Sequence, residues 1–276
     1  MATAAGVGGE PGDVRCGGFP AWPLPLDATG AAVARSLVRS VFKALGMPAE
    51  MTCDVAVAIS ELATNVHLHA LRGAASVDSR ATGAPEMWAY LRWRTRPEVV
   101  LKVFDTTPWH GPVLKGSVVK GAGAQGPPRP APEAEGGRGL EVVHALTSAY
   151  GGHWGVHRTR SRLGAEAVPG KAVFVVVPVP RGCGAAAFRP VRRHPQEVRS
   201  QVHALLAARG LGRLEWSAGH GLAVMCVRAG VHVWVFSDSL ACWSSRHGRM
   251  RHPLCDAVEV VEQVVAHCAD LDAEGR

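Results

Sequence analysis

The chain has 276 residues, 47% of them apolar, with a formal net charge of +7 and a pI near 9.3. That is enough apolar material for one large core or, as expected here, two smaller ones, and no run approaches the ~18–20 uninterrupted apolar residues of a membrane span. The seven scattered cysteines contain no C-x-x-C pair, which argues against a disulfide framework and a zinc ribbon and leaves buried free thiols as the expectation. The positive charge gathers at 158–162, 189–194 and 246–252, and none of these runs is interleaved with aromatics. They read as solvated loops rather than as a nucleic-acid platform, so no direct nucleic-acid contact is expected. The first residues show no basic stretch followed by an apolar one, so no secretion signal is read and a cytoplasmic location is expected.

In chain order, residues 1–18 are Gly-rich and aperiodic and are expected to be a disordered lead-in. The proline-rich stretch 19–26 suits an edge strand with Trp22, Leu24 and Leu26 on one face. Asp27, with Thr29, is a fair N-cap for a helix over 30–45, whose apolar face is Val33, Leu37, Val38, Val41, Phe42 and Leu45. Pro48 opens the next helix, which runs to about residue 71. In it Val55, Ile59, Leu62, Val66 and Ala70 recur at three- and four-residue steps, the period of an amphipathic helix. Glu61, Asn65 and His69 are four apart and project together beside that stripe.

Two strands are expected at 86–95 and 98–104, the first alternating Met87, Ala89, Leu91 and Trp93 with Trp88, Tyr90, Arg92 and Arg94. Asp105 ends the second. The Gly- and Pro-rich stretch 111–137 has little that could form a core and reads as a long loop, with a lid over 111–135. Gly136-Gly137-Arg138-Gly139 then runs directly into a helix whose Leu140, Val143 and Leu146 face inward. Further strands begin at Gly151 and at Gly170, and 181–193 reads as a linker. Beyond it come a helix over 195–209, a hairpin with its turn at Ala229-Gly230, a Trp-containing segment at 240–243, and a last helix over 255–268. This makes 194–270 a small αββα module with its own core, of unassigned role.

Two stretches carry chemistry. A carboxylate and a carboxamide one helical turn apart, Glu61 and Asn65, could hold a metal ion and orient a nucleophile. Glycines immediately before a helix let backbone N–H groups approach a phosphate at the positive helix end. The Gly137-Arg138-Gly139 turn is neither a P-loop, lacking Gly-Lys-Ser/Thr, nor a dinucleotide fingerprint, lacking the glycine spacing and the preceding strand. His67 and His69 without further ligands make a poor metal site and read as structural.

Taken in order, these elements resemble the GHKL (Bergerat-fold, histidine kinase-like) ATP-binding family of histidine kinases, gyrase-type topoisomerases and bacterial anti-sigma factor kinases. Glu61-Leu62-x-x-Asn65-x-x-x-His69-Ala70 looks like that family's N box. Asp105 looks like the adenine-reading Asp, Gly137-Arg138-Gly139-Leu140 like the second glycine box, and Gly170-Lys171-Ala172-Val173 like the closing strand. The resemblance covers 19–180 and is closest to the anti-sigma, serine-protein kinase branch common in actinobacteria.

It implies an α/β (α+β) two-layer sandwich, with a mostly antiparallel mixed sheet covered by helices on one face. It implies ATP and Mg2+ as cofactors, with Asn65 as the Mg2+ ligand and Glu61 as general base toward a serine hydroxyl or a water. Asp105 would accept from the adenine amino group, and Gly137, Arg138, Gly139 and Leu140 would form the phosphate turn. The implied partners are a sigma factor or a small anti-sigma antagonist, off the membrane, with a homodimer possible. Two departures accompany the match: Thr106-Thr107-Pro108-Trp109 follows Asp105 where the family has glycines, and Ala172 stands where relatives often carry a Thr supporting the Asp. These favour the alternative, a nucleotide-free interaction module that keeps the fold.

Overall fold

The computed structural model describes residues 9–73, 83–107, 139–183, 193–212, 214–244 and 248–275. The lid at 111–135, Gly137, Arg138 and most of the expected linker lie outside them. The lead-in is structured from Gly9: Pro11–Cys16 forms a 3-10 turn whose Val14 is fully buried, and the Trp22 indole donates to the Gly9 carbonyl at 2.9 Å. A short apolar anchor inside a polar stretch is too small a signal for a periodicity argument.

Strand β1 (Ala21–Pro23) is followed by helices α1 (Gly30–Leu45) and α2 (Ala49–Gly73), then by the hairpin β2 (Glu86–Trp93) and β3 (Pro97–Asp105). Helix α3 (Gly139–Ala149), β4 (His153–Arg160) and β5 (Pro169–Pro178) complete the first unit. Its sheet runs β1-β2-β3-β5-β4, and every described pairing in it is antiparallel, in keeping with the mostly antiparallel sheet of the expected two-layer α+β sandwich. Helix α1 docks through Val38, Val41, Phe42 and Leu45, and α2 through Met51, Val55, Ile59, Leu62 and Val66. They meet Met87, Ala89, Leu91, Leu101, Val103 and Val175 from the sheet. Leu26, expected to share the face of Trp22 and Leu24, is instead 53% exposed.

The second unit comprises α4 (Pro195–Ala208), strands β6 (Trp216–Gly219), β7 (Leu222–Arg228), β8 (Val231–Phe236), β9 (Ser239–Ser244) and β10 (Gly248–Pro253), and α5 (Ala257–Glu274). The expected hairpin is present as β7–β8, and the sheet extends it to five antiparallel strands in the order β10-β9-β8-β7-β6. Val198, Val202 and Leu206 of α4 and Val260, Val261, Val264 and Val265 of α5 form its core with Met225, Val233, Val235 and Leu240. All seven cysteines are free, but only Cys242 and Cys268 are buried, while Cys16, Cys53 and Cys226 are exposed. Among the described residues no helix is long and apolar enough to cross a membrane.

The second face of the first sheet is also covered. Period-two alternation puts Trp88, Tyr90 and Arg92 opposite Met87, Ala89 and Leu91, yet all three are buried. The cover is α5, apolar toward its own sheet and acidic toward the other. Glu259 accepts from the Tyr90 hydroxyl at 2.7 Å and from Arg92 at 3.2 Å. Glu262 accepts from Lys102 at 2.8 Å and from Arg209 at 2.6 Å. Arg209 also lies over the Trp88 ring, 4.6 Å from its centroid, and Trp88 stacks on Phe104 at 5.5 Å. Each buried charge thus has an opposite charge, which is what lets ions occupy a dry interface.

His157 sits in the same layer. Its Nε2 is 3.0 Å from the Lys102 ammonium, which can only donate, so the ring is neutral and its Nδ1–H donates to the Arg158 carbonyl at 2.8 Å. Burial and then Lys102 push the imidazole down to about 3. The folded chain therefore keeps the ring neutral where the unfolded chain protonates it near 6.5. This contribution is fully present above pH ~6.5 and is lost as pH falls toward ~3. Asp256, pushed up to about 8 by burial, acts in the opposite sense over part of that range. The informative quantity is therefore the difference between two proteins. His157→Gln is expected to flatten the loss of stability between pH ~6.5 and ~4.5, read as denaturation midpoints against pH. Parallel curves for the two proteins would refute the buried neutral histidine.

Candidate functional site

Helix α2 presents the first half of the site. It contains no Gly or Pro before Gly73, and Pro48 at its start accepts from both the Thr52 N–H (2.9 Å) and the Thr52 hydroxyl (2.8 Å). Burial of Val55, Ile59, Leu62 and Val66 fixes its rotation, and the half-buried Glu61 and Asn65 emerge at the rim of that stripe. Helix α3 lies against α2 through the fully buried Val143, with Leu140 and Leu146 partly buried on the same core. At its C-terminal end the Tyr150 hydroxyl donates to Asp54 at 2.6 Å. At its N-terminal end Gly139 meets the pair. A Cβ on Gly139 would stand 3.0 Å from Glu61 Oε2, 3.4 Å from Asn65 Nδ2 and 3.6 Å from Asn65 Oδ1. Gly139 thus forms one wall with residues 74 and 78 positions earlier in the sequence, and any side chain at Gly139 would crowd the carboxylate.

The chemistry of this wall follows from its parts. The first N–H groups of α3 have no partner within the helix, and its macrodipole favours negative charge there. An anionic phosphate suits that end, and the absence of a Cβ at Gly139 gives it access to the backbone. Carboxylate and carboxamide oxygens from Glu61 and Asn65 are hard donors of the type Mg2+ takes. The residues present therefore fit a magnesium-bearing phosphate group. Among the described residues there is no cluster of three or more His, Cys, Asp or Glu side chains able to hold a metal by themselves. His67 meets the backbone: its Nδ1 lies 3.3 Å from the Leu26 carbonyl oxygen.

Asp105 stands apart from that wall, at the end of β3. Its Oδ1 accepts from the Thr107 N–H at 2.8 Å, from the Thr107 hydroxyl, and from the Lys171 ammonium at 2.7 Å. Gly170 makes this approach of β5 possible, since a Cβ there would lie 2.3 Å from the Asp105 carbonyl oxygen. The β3–β5 register sets Lys171 directly across from Asp105 and Ala172 across from Phe104. The residue supporting the Asp is therefore Lys171, and the expectation centred on Ala172 is corrected by one position. A one-residue change of register inverts which side chains share a face, and composition cannot reveal it. As it stands, the Asp105 carboxylate already has its charge met by Lys171, and the three donors named here all reach Oδ1. A cavity of about 620 Å³ lined by Cys16, Phe19, Arg162 and Arg193, among others, shares no residue with either cluster.

A family model described as a histidine kinase-like ATPase domain matches residues 24–162, half of the chain. That span contains Glu61, Asn65, Asp105 and Gly139, and stops short of Lys171 and of everything after β4. No curated protein matches the chain.

Proposed function

The chain belongs to the histidine kinase-like ATPase domain family, and from that premise we propose that it is an ATP-binding regulatory protein of the anti-sigma, serine-protein kinase kind. One observation carries the proposal: Glu61 and Asn65 converge on Gly139 at the N-terminus of α3. In this reading the Asn65 carboxamide oxygen holds Mg2+, and the α3 N-terminus receives phosphate. Bound Mg2+ would neutralise charge on the transferring phosphoryl group, and such transfer asks mainly for positioning and charge neutralisation. The Glu61 carboxylate takes the proton from a serine hydroxyl as that oxygen bonds to the γ-phosphorus, the bond from phosphorus to the β,γ-bridging oxygen breaks, and ADP leaves. The protein partner in this reading is a sigma factor or a small anti-sigma antagonist that presents the serine, and the site of action is the cytoplasm.

The test is a thermal or chemical denaturation series with Mg-ATP. A ligand of the native state at about 100 times its Kd adds ~2.7 kcal/mol, and transfer of label from the γ-phosphate to an antagonist serine reports the kinase step. Absence of any stabilisation at millimolar Mg-ATP overturns the reading. The second reading, a nucleotide-free interaction module, is favoured by the paired state of Asp105 and predicts that null result.

A further inference from the structure

At Asp105 the chain's own side chains engage Oδ1. Lys171 Nζ donates to Asp105 Oδ1 at 2.7 Å, to the Thr107 carbonyl at 3.0 Å and to the Thr107 hydroxyl oxygen. An ammonium has three N–H bonds, so each has an acceptor. Oδ1 receives, besides Lys171, the Thr107 N–H and the Thr107 hydroxyl. The Lys171 and Asp105 side chains are only 6% and 4% exposed.

A carboxylate reads an amino group because its charge strengthens the hydrogen bond it accepts. Here that charge is already met by an ammonium, in a place with almost no water. A further donor would address a neutralised pair. Withdrawing Lys171 to free the carboxylate would strand buried ions, which costs several kcal/mol.

We propose that Lys171 is an internal substitute for the base amino group: the chain binds nucleoside triphosphates through their phosphates and takes purines with and without an exocyclic amino group about equally. The inference rests on the ATP-binding reading and sharpens it by separating affinity, set at Glu61, Asn65 and Gly139, from base selection, set at Lys171 and Asp105. Lys171 acts through Asp105 and is a specificity-determining residue.

The experiment compares Kd values for Mg-ATP and Mg-ITP, which differ in having an amino group or an oxygen at the same ring position. Wild type is expected to bind the two within about threefold of each other. In Lys171→Thr the hydroxyl can still donate to Asp105 but leaves its charge uncancelled, so ATP should be preferred by about tenfold or more. Adding Asp105→Asn to that variant should return the ratio to near unity, a reversal that mere loosening of the strand would not produce. Lys171→Gln, one atom shorter but uncharged and still a donor, is the second variant should the first fail to fold. A wild-type preference for ATP of tenfold or more, unchanged in either variant, overturns this inference and leaves ATP binding intact. Failure of every form to bind either nucleotide overturns the ATP-binding reading, and this inference with it.

Discussion

Glu262→Ala is expected to destabilise the chain by about 3–5 kcal/mol, among the largest effects any single substitution should have. Glu262 is 2% exposed and accepts from Lys102 at 2.8 Å and Arg209 at 2.6 Å. Its removal leaves Lys102 and Arg209, buried between α5 and the first sheet, without the carboxylate that both hydrogen-bond. Although burial works against ionisation, Arg209 and Lys102 hold Glu262 at about 2, and Arg92 and Lys102 likewise hold Glu259 at about 2. Depressed carboxyl values stabilise the fold above the ordinary carboxylate range, and that contribution disappears as pH falls toward ~2. The loss in the alanine variant is expected as a shift of the denaturation midpoint at pH 7. Replacing Glu262, Lys102 and Arg209 together by Met should recover most of it, because a volume-matched apolar cluster carries no desolvation cost. A cost below ~1 kcal/mol for Glu262→Ala would show that water reaches this layer.

The second large effect concerns turnover. Glu61→Ala is expected to leave Mg-ATP stabilisation in place and to reduce phosphoryl transfer by about 10²–10⁴-fold, the usual contribution of a positioned general base. Asn65→Ala should instead remove the Mg2+-dependent part of that stabilisation, up to the ~2.7 kcal/mol seen at 100 times Kd. The two side chains sit one turn apart against the same glycine, so a shared structural defect would hit both variants alike. The split between binding and transfer is what separates the roles. Undiminished transfer by the Glu61 variant would refute its assignment as base.

Much of this was legible along the chain. The apolar period of α2 set Glu61 and Asn65 on one face, and the alternation of β2 and the β-branched run of β3 marked the hairpin; the register then showed both faces in use. What escaped was everything that depends on partners distant in sequence. The ion pairs of Arg92 with Glu259 and of Lys102 with Glu262 could not be read, because the partners lie 167 and 160 residues apart. Local pattern reports how apolar a face is, and an ion that will be paired looks the same as one that will be solvated. Lys171 escaped for a related reason: its importance lies in a cross-strand register that no spacing fixes. The strands β6 and β10 are short and of mixed polarity, so they carried too little alternation to be read. The second glycine box was legible as a motif, but of its four residues only Gly139 and Leu140 fall among the described positions.

The position of α5 has a consequence for the order in which the molecule can be completed. Every strand that α5 covers is synthesised before it, since β2 through β5 end at Pro178 and α5 begins at Ala257. Until then Tyr90, Arg92 and Lys102 of the first sheet lack the helix that covers them. Glu98 already meets Arg92 across the hairpin, whereas the carboxylate that Lys102 pairs with arrives only with the last helix. The acidic helix that completes the Lys102 pair is also the helix that closes the second core.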